Sequence, residues 1–181
     1  MPQSFSALSH FLENTGDLYT IDAKKLINQS SNAEDYLYKN LNDMLSASEA
    51  MVMDGSTMVI TTNKAFVATT FSQKGADDPI EKDWWYTLGT PSSAMTGTVR
   101  RIGEEYSMEI KYFIDDFYDW EKDSPLKGGP IITDGEMYRL HEVGLAKQYP
   151  VEGCYEVNVT WKKGERFLTN SQEPTLKEEK R

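Results

Sequence analysis

Residues 105–120 read EYSMEIKYFIDDFYDW, and the first ten of them decide the fold prediction. Apolar or aromatic side chains occupy every second position from Tyr106 to Ile114, with mainly polar residues between them. Such alternation predicts a half-buried strand over 105–114, because successive side chains of a strand point to opposite faces. The strand is followed at once by an acidic and aromatic cluster, Asp115-Asp116-Phe117-Tyr118-Asp119-Trp120.

This acidic cluster allows two interpretations. Carboxylates crowded at a strand end raise each other's pKa unless a cation or hydrogen-bond donors neutralise them. On an extended segment Asp116 and Tyr118 point the same way, and Asp119 joins them if the chain turns there. Converging carboxylates could hold Mg²⁺, which takes oxygen ligands, or one of them could activate a water. The alternative is a solvated turn whose aromatic side chains pack inward.

Upstream of this strand, helical patterns precede strand patterns. Helical spacing of apolar residues predicts helices at 4–13, 22–27 and 32–53. In the first helix Phe5, Leu8, Phe11 and Leu12 form the predicted apolar face, and Ser30 or Ser31 caps the third. Shorter patterns predict strands at 57–62, 65–71, 84–88 and 94–102. A hairpin turn is predicted at Asn63-Lys64, an exposed loop at 72–82 and a tight turn at 102–104.

Downstream, the spacing of Thr133 and Glu136 is that of a capping box. It predicts a helix from Thr133 to about Gln148, ending before Pro150. A last strand is predicted over 155–161.

These elements together predict an α+β fold. N-terminal helices are followed by a curved, half-barrel-like antiparallel β-sheet, with one helix before the last strand. The 181-residue length suits a single domain over 1–168, followed by a disordered polar tail over 169–181. No apolar run approaches the roughly 20 residues that cross a bilayer. The first residues lack the features of a signal peptide, so we expect synthesis in the cytoplasm and export by another route.

Composition restricts the possible partners. A formal net charge of −10 argues against nucleic acid, whose phosphates are bound by Lys and Arg. Strong acidity also suits a protein that masks a basic partner, so a non-catalytic binding protein stays open. The single cysteine, Cys154, excludes an intrachain disulfide or a thiolate zinc cluster, and we expect it to be a small buried residue.

Basic and imidazole side chains supply further candidates. His141 lies on the apolar stripe of the helix that begins at Thr133, as a core residue or as a catalyst. The other histidine, His10, lies on the first helix and is given no role. Arg100 and Arg101 could grip a pyrophosphate through parallel hydrogen bonds, or could end a strand in solvent. Lys127 is the basic residue that follows the acidic cluster.

The residues resemble the activity domain of the colicin M family, bacterial toxins that destroy lipid II, the lipid-linked peptidoglycan precursor. The most specific part is the motif Asp116-Phe117-Tyr118-Asp119, which is similar to the family's Asp-x-Tyr-Asp. Other similar segments are Ala7 to Leu12 with Asn14-x-Gly16, Gly97-Thr98-Val99, Arg139-Leu140, Gly144-Leu145-Ala146 and Val157 to Arg166.

The resemblance implies an Mg²⁺-dependent phosphodiesterase that cuts lipid II between undecaprenyl and pyrophosphate. It implies that Asp116, Tyr118 and Asp119 are catalytic, with Asp116 and Asp119 as metal ligands. The family has a His-Arg pair six residues after the second Asp, where this chain has Pro-Leu-Lys. Lys127 and His141 are the candidates to replace that pair.

The substrate implied by the resemblance has a lipid tail, so a membrane surface is an expected partner. Arg100, Arg101 and Trp120 are the expected substrate-binding residues. Exposed aromatic side chains such as Trp84, Trp85, Phe117 and Trp120 could contact the lipid, because Trp favours the membrane interface. The alternative, and the more ordinary role of these side chains, is core packing.

The family's biology implies a toxin that blocks peptidoglycan synthesis in the periplasm of a target bacterium. Delivery would use a secretion apparatus or a larger carrier, and a cognate immunity protein would protect the producer. The alternative of an acidic, immunity-type binding protein stays open. A nuclease is disfavoured because no basic face is evident.

Overall fold

A computed structural model of the chain describes residues 2–65, 78–122 and 133–166. The described residues form five helices and a five-stranded sheet. The helices are α1 (Gln3–Leu12), α2 (Ala23–Gln29), α3 (Ser31–Met51), α4 (Pro79–Leu88) and α5 (Asp134–Glu142). The strands are β1 (Tyr19–Ile21), β2 (Thr57–Ala65), β3 (Ser92–Ile102), β4 (Glu105–Tyr118) and β5 (Tyr149–Lys162).

The sheet is mixed, with the order β1-β5-β4-β3-β2, and it does not close into a barrel. β2 and β3 are antiparallel, in a register that pairs Thr57 with Arg100 and Ala65 with Ser92. The α+β prediction is confirmed, with N-terminal helices and one helix before the last strand. The sheet is mixed rather than purely antiparallel, β1 lies between α1 and α2, and α4 lies between β2 and β3.

Side-chain contacts fix the direction of β5 relative to β4. Tyr106 stacks on Trp161, Lys111 pairs with Glu156 and Tyr118 stacks on Tyr149. Residues later in β4 contact residues earlier in β5, so the two strands run antiparallel.

The alternating pattern on β4 is confirmed, and the strand is longer than predicted. Buried and exposed residues alternate from Glu105, and the even-numbered side chains face the core. The strand continues past Ile114 to Tyr118 and therefore includes the first four residues of the acidic cluster. Gly103, in the predicted tight turn before it, has a φ of +61°, which glycine adopts without strain.

Side-chain caps begin α2, α3 and α5, and the caps of α3 and α5 were predicted from the sequence. The Asp22 side chain accepts a hydrogen bond from the Lys25 N–H at the start of α2. Ser30 accepts one from the Ala33 N–H, 3.0 Å away, at the start of α3. The capping box of Thr133 and Glu136 is present at α5.

The predicted strand at 84–88 is wrong, because these residues belong to α4. The Asp78 side chain accepts hydrogen bonds from the N–H groups of Ile80 and Glu81, and Pro79 occupies the first turn. Asp before Pro at a helix start is a standard N-terminal signal. α4 also replaces the end of the exposed loop predicted at 72–82, whose residues 72–77 lie outside the described chain.

The hairpin predicted at Asn63-Lys64 is also wrong. β2 runs through both residues, which pair with Ala94 and Ser93 of β3. The rest of the strand predicted at 65–71 lies outside the described residues, as do the tail at 169–181 and Lys127.

The end of α5 and the start of β5 differ from the prediction. The helix ends at Glu142 rather than near Gln148, because Gly144 adopts a φ of +74° and the Leu145 N–H bonds to the Leu140 carbonyl. β5 then begins at Tyr149, six residues earlier than predicted, and Pro150 lies within it.

The chain divides into two compact units that share β4 and β5. The first unit comprises Met1–Ile21, Val67–Pro91 and Asp115–Glu152. The second comprises Asp22–Phe66, Ser92–Ile114 and Gly153–Arg181. The prediction of a single domain over 1–168 stays a prediction. Among the residues that the structure describes, no helix has the length and apolar character needed to cross a membrane.

A candidate acidic and aromatic site

The candidate site is built on the end of β4, in the first unit. Because the alternation of β4 continues to its last residue, Asp116 and Tyr118 lie on the face that is turned to the core, as predicted. Asp115 and Phe117 are exposed on the other face. Asp119 follows the last residue of the strand and is exposed.

Asp116 is the most perturbed carboxyl group of the cluster. Burial raises the pKa of Asp116 to about 7, a hydrogen bond from the Phe117 N–H opposes this rise, and the charges of Asp119 and Asp115 add to it. Its Oδ2 atom is buried and has no hydrogen-bond partner among the described residues. Buried polar atoms without partners are rare, and they are often associated with bound ions, ordered water or catalysis.

Asp119 belongs to the same electrostatic system. Its charge raises the pKa of Asp116. Partial burial of the Asp119 carboxyl group and the charge of Glu121 raise the pKa of Asp119 itself, although the residue as a whole is exposed. A divalent cation beside Asp116 and Asp119 would reverse these shifts, because it favours the ionised carboxylates. The orphaned oxygen of Asp116 and the purely oxygen donor set therefore fit Mg²⁺.

Aromatic rings surround Tyr118. The Tyr149 ring stacks on the Tyr118 ring, with 4.9 Å between centroids and an angle of 8°. The Trp120 ring lies edge-on to Tyr118 at 5.8 Å, and Phe11 of α1 packs on both. Burial raises the pKa of Tyr118, so its hydroxyl keeps its proton at neutral pH.

The Tyr149 ring is fixed from two sides by α1. Its hydroxyl donates a hydrogen bond to the Ala7 carbonyl at 2.7 Å. The His10 ring lies edge-on to it, with 4.5 Å between centroids. His10 Nε2 lies 2.9 Å from the Asp17 carbonyl oxygen and must carry the proton, because a carbonyl can only accept. Its Nδ1 lies 3.4 Å from the Glu13 carboxylate.

Asp83 of α4 holds the start of α1. Its carboxylate accepts hydrogen bonds from the Gln3 N–H at 2.7 Å, from the Ser4 N–H at 2.9 Å and from the Ser4 hydroxyl. Burial raises the pKa of Tyr19, a side-chain hydrogen bond with Ser6 opposes the rise and the charge of Asp83 adds to it.

Sequence reasoning missed Tyr149 and His10. Tyr149 was expected at the end of a helix, and His10 was given no role. No spacing rule could have found either residue, because Tyr149 lies 31 positions after Tyr118 and 139 positions after His10 in the chain.

The structure does not test the catalytic roles predicted for His141 and Lys127, which lie outside the acidic cluster. His141 lies on α5 and contacts the Tyr138 ring at 6.2 Å, and its Nδ1 is buried without a hydrogen-bond partner in the described chain. Lys127 lies outside the described residues. The replacement of the family's His-Arg pair stays a prediction.

Arg100 and Arg101 belong to the second unit. Arg101 donates hydrogen bonds to the Gly103 carbonyl at 2.8 Å and to the Val52 carbonyl at 3.1 Å, so it supports the turn before β4. Arg100 is exposed on β3. Binding of the substrate by either arginine stays a prediction.

A cleft of about 370 Å³ also lies in the second unit. Its lining includes Arg100, Tyr106, Trp161 and Lys162, but no residue of the acidic cluster. Within residues 2–65, 78–122 and 133–166, no three His, Cys, Asp or Glu side chains form a metal-binding group. A magnesium site at Asp116 and Asp119 would therefore be completed by water or substrate, as is common for Mg²⁺.

Of the two roles left open for Trp84, the structure shows core packing, because Trp84 is fully buried on the inward face of α4. The prediction that Cys154 is buried is wrong. Cys154 is exposed, since β5 turns its even-numbered side chains outward at this position. Phe117 is exposed, as expected, while Trp85 and Trp120 are half-buried.

Comparisons of the chain with protein-family models, curated proteins and solved structures found no significant match. The resemblance to the colicin M family therefore depends on the sequence segments alone.

Proposed function

We propose that this protein is an antibacterial toxin that hydrolyses lipid II between undecaprenyl and pyrophosphate. The observation that carries the proposal concerns Asp116, which lies on the same face of β4 as Tyr118. Its buried Oδ2 atom has no hydrogen-bond partner among the residues that the structure describes. Its position in an Asp-x-Tyr-Asp motif matches the essential residues of the colicin M family. Cleavage of lipid II would block peptidoglycan synthesis.

Asp116 and Asp119 are the residues that would hold Mg²⁺. When bound there, the ion would offset the charge of the pyrophosphate as it leaves. A cation is needed for a further reason, since a protein with a net charge of −10 repels an anionic substrate.

The protein's own groups have definite proton states. Without a cation, the pKa of Asp116 near 7 lets it accept or donate a proton at physiological pH. Tyr118 stays protonated, so its hydroxyl can donate a hydrogen bond to a phosphate oxygen. The ring of Tyr149 keeps Tyr118 in place through the stack.

The direct test is hydrolysis of purified lipid II in detergent with Mg²⁺. We expect undecaprenol and a pyrophosphorylated sugar-peptide as products, and loss of both when EDTA removes the metal. Failure to release either product at high protein concentration, beside a working positive control, would reject the proposal.

Directed expression tests the site of action. Fusion to a signal peptide should cause lysis of sensitive cells, while the cytoplasmic form should be harmless. Toxicity confined to the cytoplasmic form would contradict a periplasmic substrate.

The second candidate is a non-catalytic, immunity-type binding protein. It is favoured by the net charge of −10 and by the lack of the family's His-Arg pair in the sequence. This function predicts no lysis from either compartment and a stable complex with a basic partner protein.

A further inference from the structure

The cleft of about 370 Å³ in the second unit lies at one end of three neighbouring strands. It is lined by the last residues of β3 and β5 and by the first residues of β4. Buried and exposed side chains alternate along β4 and β5 here, and the exposed ones share the face of the sheet that is turned away from the core. The polar lining of the cleft is therefore open to a ligand in solution.

Arg100 brings to this cleft a cation without a counterion. The two-residue turn at 103–104 places Ser107 of β4 opposite Arg100, and on the other side Thr57 of β2 lies opposite it. Both neighbours are uncharged, and none of the ion pairs within the described chain includes Arg100. A guanidinium presents its N–H donors in a planar fork that matches a carboxylate. Arg100 and the hydroxyls of Ser107 and Thr160 therefore form a donor-rich part of the cleft.

Two carboxylates also line the cleft. Tyr106 stacks on Trp161, which fixes the register of β4 and β5 at this point. Glu105, one residue earlier on β4, therefore lies opposite Lys162, one residue later on β5. Glu165 already accepts a hydrogen bond from the Lys162 N–H at 2.7 Å. Glu105 takes part in no ion pair among residues 2–65, 78–122 and 133–166, so its carboxylate can receive a cationic group of a ligand.

Arg100 and Glu105 lie on the same face of adjacent strands, as diagonal neighbours. The Cα atoms of such neighbours are roughly 7–8 Å apart, a span that one small molecule can bridge. The charged side chains of the lining are two cations and two carboxylates, namely Arg100, Lys162, Glu105 and Glu165. A lining of both signs complements a ligand of both signs. A simple anion is disfavoured because the protein has a net charge of −10, whereas a zwitterion carries no net charge.

We propose that this cleft binds a small zwitterion, an amino acid or a short peptide with free ends. The ligand carboxylate would accept hydrogen bonds from Arg100, and the ligand ammonium group would lie at Glu105. The volume of about 370 Å³ is within the range of small-molecule sites. This inference goes beyond the proposed hydrolysis of lipid II, and it gives Arg100 a ligand other than the pyrophosphate implied by the resemblance.

The test is titration of the isotope-labelled, full-length protein with glycylglycine, followed through amide NMR signals. We expect saturable shifts that are concentrated at the residues lining the cleft, with a dissociation constant on the order of 1 mM. Two matched ligands each lack one charge: N-acetyl-glycylglycine has no ammonium group and glycylglycine amide has no carboxylate. Each should bind about tenfold or more weakly, because one charge-assisted contact is lost.

Matched substitutions locate the two charges. Arg100→Gln should weaken the binding of glycylglycine about tenfold or more, while Arg139→Gln, at an exposed residue of α5, should leave it unchanged. Glu105→Gln should abolish the preference for glycylglycine over its N-acetylated form. Glu109→Gln is the control for that variant, because Glu109 is exposed on the same face of β4 but does not line the cleft. The amide spectra verify that every variant is folded.

Three results would overturn the proposal. The first is the absence of saturable shifts in the wild type at ten times the expected dissociation constant. The second is equal binding of the acetylated or amidated dipeptide. The third is equal weakening by Arg139→Gln, which would assign the effect to net charge alone. None of these measurements involves lipid II or a metal, so a failure of dipeptide binding and a failure of the hydrolase proposal are distinguishable.

Discussion

A stacked aromatic pair joins β4 and β5 at each end of the two strands. In the second unit, Tyr106 and Trp161 have centroids 5.0 Å apart and an angle of 18°. In the first unit, Tyr118 and Tyr149 have centroids 4.9 Å apart and an angle of 8°. The ring geometry is similar, but the polar surroundings are very different.

The polar groups beside Trp161 are mostly paired. Its indole N–H donates a hydrogen bond to Glu49 at 3.1 Å, and the same carboxylate accepts two from the Arg166 guanidinium. The Arg101 guanidinium lies 5.4 Å from the Tyr106 ring centre, although the Tyr106 hydroxyl is buried without a partner in the described chain.

Beside Tyr118 the Tyr149 hydroxyl is paired, but two other polar groups are not. Asp116 Oδ2 and the Trp120 indole N–H are both buried, with no hydrogen-bond partner in the parts of the chain that the structure describes. An unpaired buried carboxylate oxygen lowers stability more than an unpaired hydroxyl such as that of Tyr106, so Asp116 is the group that distinguishes the two ends. The comparison indicates a structural pair at one end of the strands and a candidate site at the other.

The largest expected effect is on activity in the first unit. Asp119→Ala removes a proposed Mg²⁺ ligand and should lower the turnover of lipid II about 100-fold or more and abolish periplasmic toxicity. The melting temperature should change by only a few degrees, because Asp119 is exposed. Asp115→Ala is the matched control, since Asp115 points to the opposite face of β4 and should keep toxicity. Full toxicity of Asp119→Ala would contradict the role of Asp119 in the candidate site, and with it the functional difference between the two ends of β4 and β5.

The largest expected loss of stability is in the second unit. Glu49→Ala leaves the Trp161 indole and the Arg166 guanidinium without their acceptor and should cost about 2–3 kcal/mol of unfolding free energy. A hydrogen bond from Arg166 lowers the pKa of Glu49, so this stability is present above the ordinary pKa and is lost as the pH falls through the lowered value.

Urea denaturation at neutral and acidic pH measures this loss. Glu156→Ala removes the exposed ion pair with Lys111 and should change the free energy by less than about 1 kcal/mol. Equal effects of the two substitutions would contradict the role of Glu49.

A substitution at Asp116 should have a moderate effect on stability, a gain at high pH in contrast to the loss expected at Glu49. Its folded pKa, near 7, is above the ordinary value of 3.8, so the folded protein binds the proton more tightly than the unfolded chain. The stability from this proton is complete below about pH 4 and is lost as the pH rises through 7. Asp116→Asn should therefore stabilise the protein by about 1–2 kcal/mol at pH 8, a value reduced for partial solvent exposure, and have little effect at pH 4.

Chemical denaturation at both pH values, with and without Mg²⁺, is the measurement. Mg²⁺ should stabilise the wild type at pH 8 but not Asp116→Asn. Equal stability of the two proteins at both pH values would show that Asp116 is solvated.

The smallest effect is expected at the stacked pair of the first unit. Tyr149→Phe keeps the ring but removes the hydrogen bond to the Ala7 carbonyl, and should cost about 1 kcal/mol. Tyr149→Leu removes the ring as well and should lower the free energy of unfolding by more than Tyr149→Phe does. A thermal melt that ranks the two variants in the reverse order would contradict the stabilising role of the stack.

Local signals in the sequence were sufficient to predict much of the fold. The caps at Ser30 and Thr133 act within three residues, so the sequence alone located the starts of α3 and α5. The alternation on β4 likewise predicted that Asp116 and Tyr118 share a face.

The errors have physical causes. The aromatic run Trp84-Trp85-Tyr86 has a high strand propensity, but the Asp78-Pro79 start determined a helix there. At Asn63-Lys64 the pairing with β3 overrode a local turn signal. For the site, the contacts of Tyr118 with Phe11 and Tyr149 depend on the packing of distant segments, which no local pattern encodes.

The capping of α1 by Asp83 has a consequence for the order of folding. Pro2 provides no side-chain acceptor, and the first free N–H groups of α1 are bound by a carboxylate about 80 residues away. A ten-residue helix without its cap is only marginally stable in water. The amides of Gln3 and Ser4 should therefore gain protection from hydrogen exchange during refolding only when α4 has docked, and a peptide of residues 2–14 should remain largely unstructured on its own.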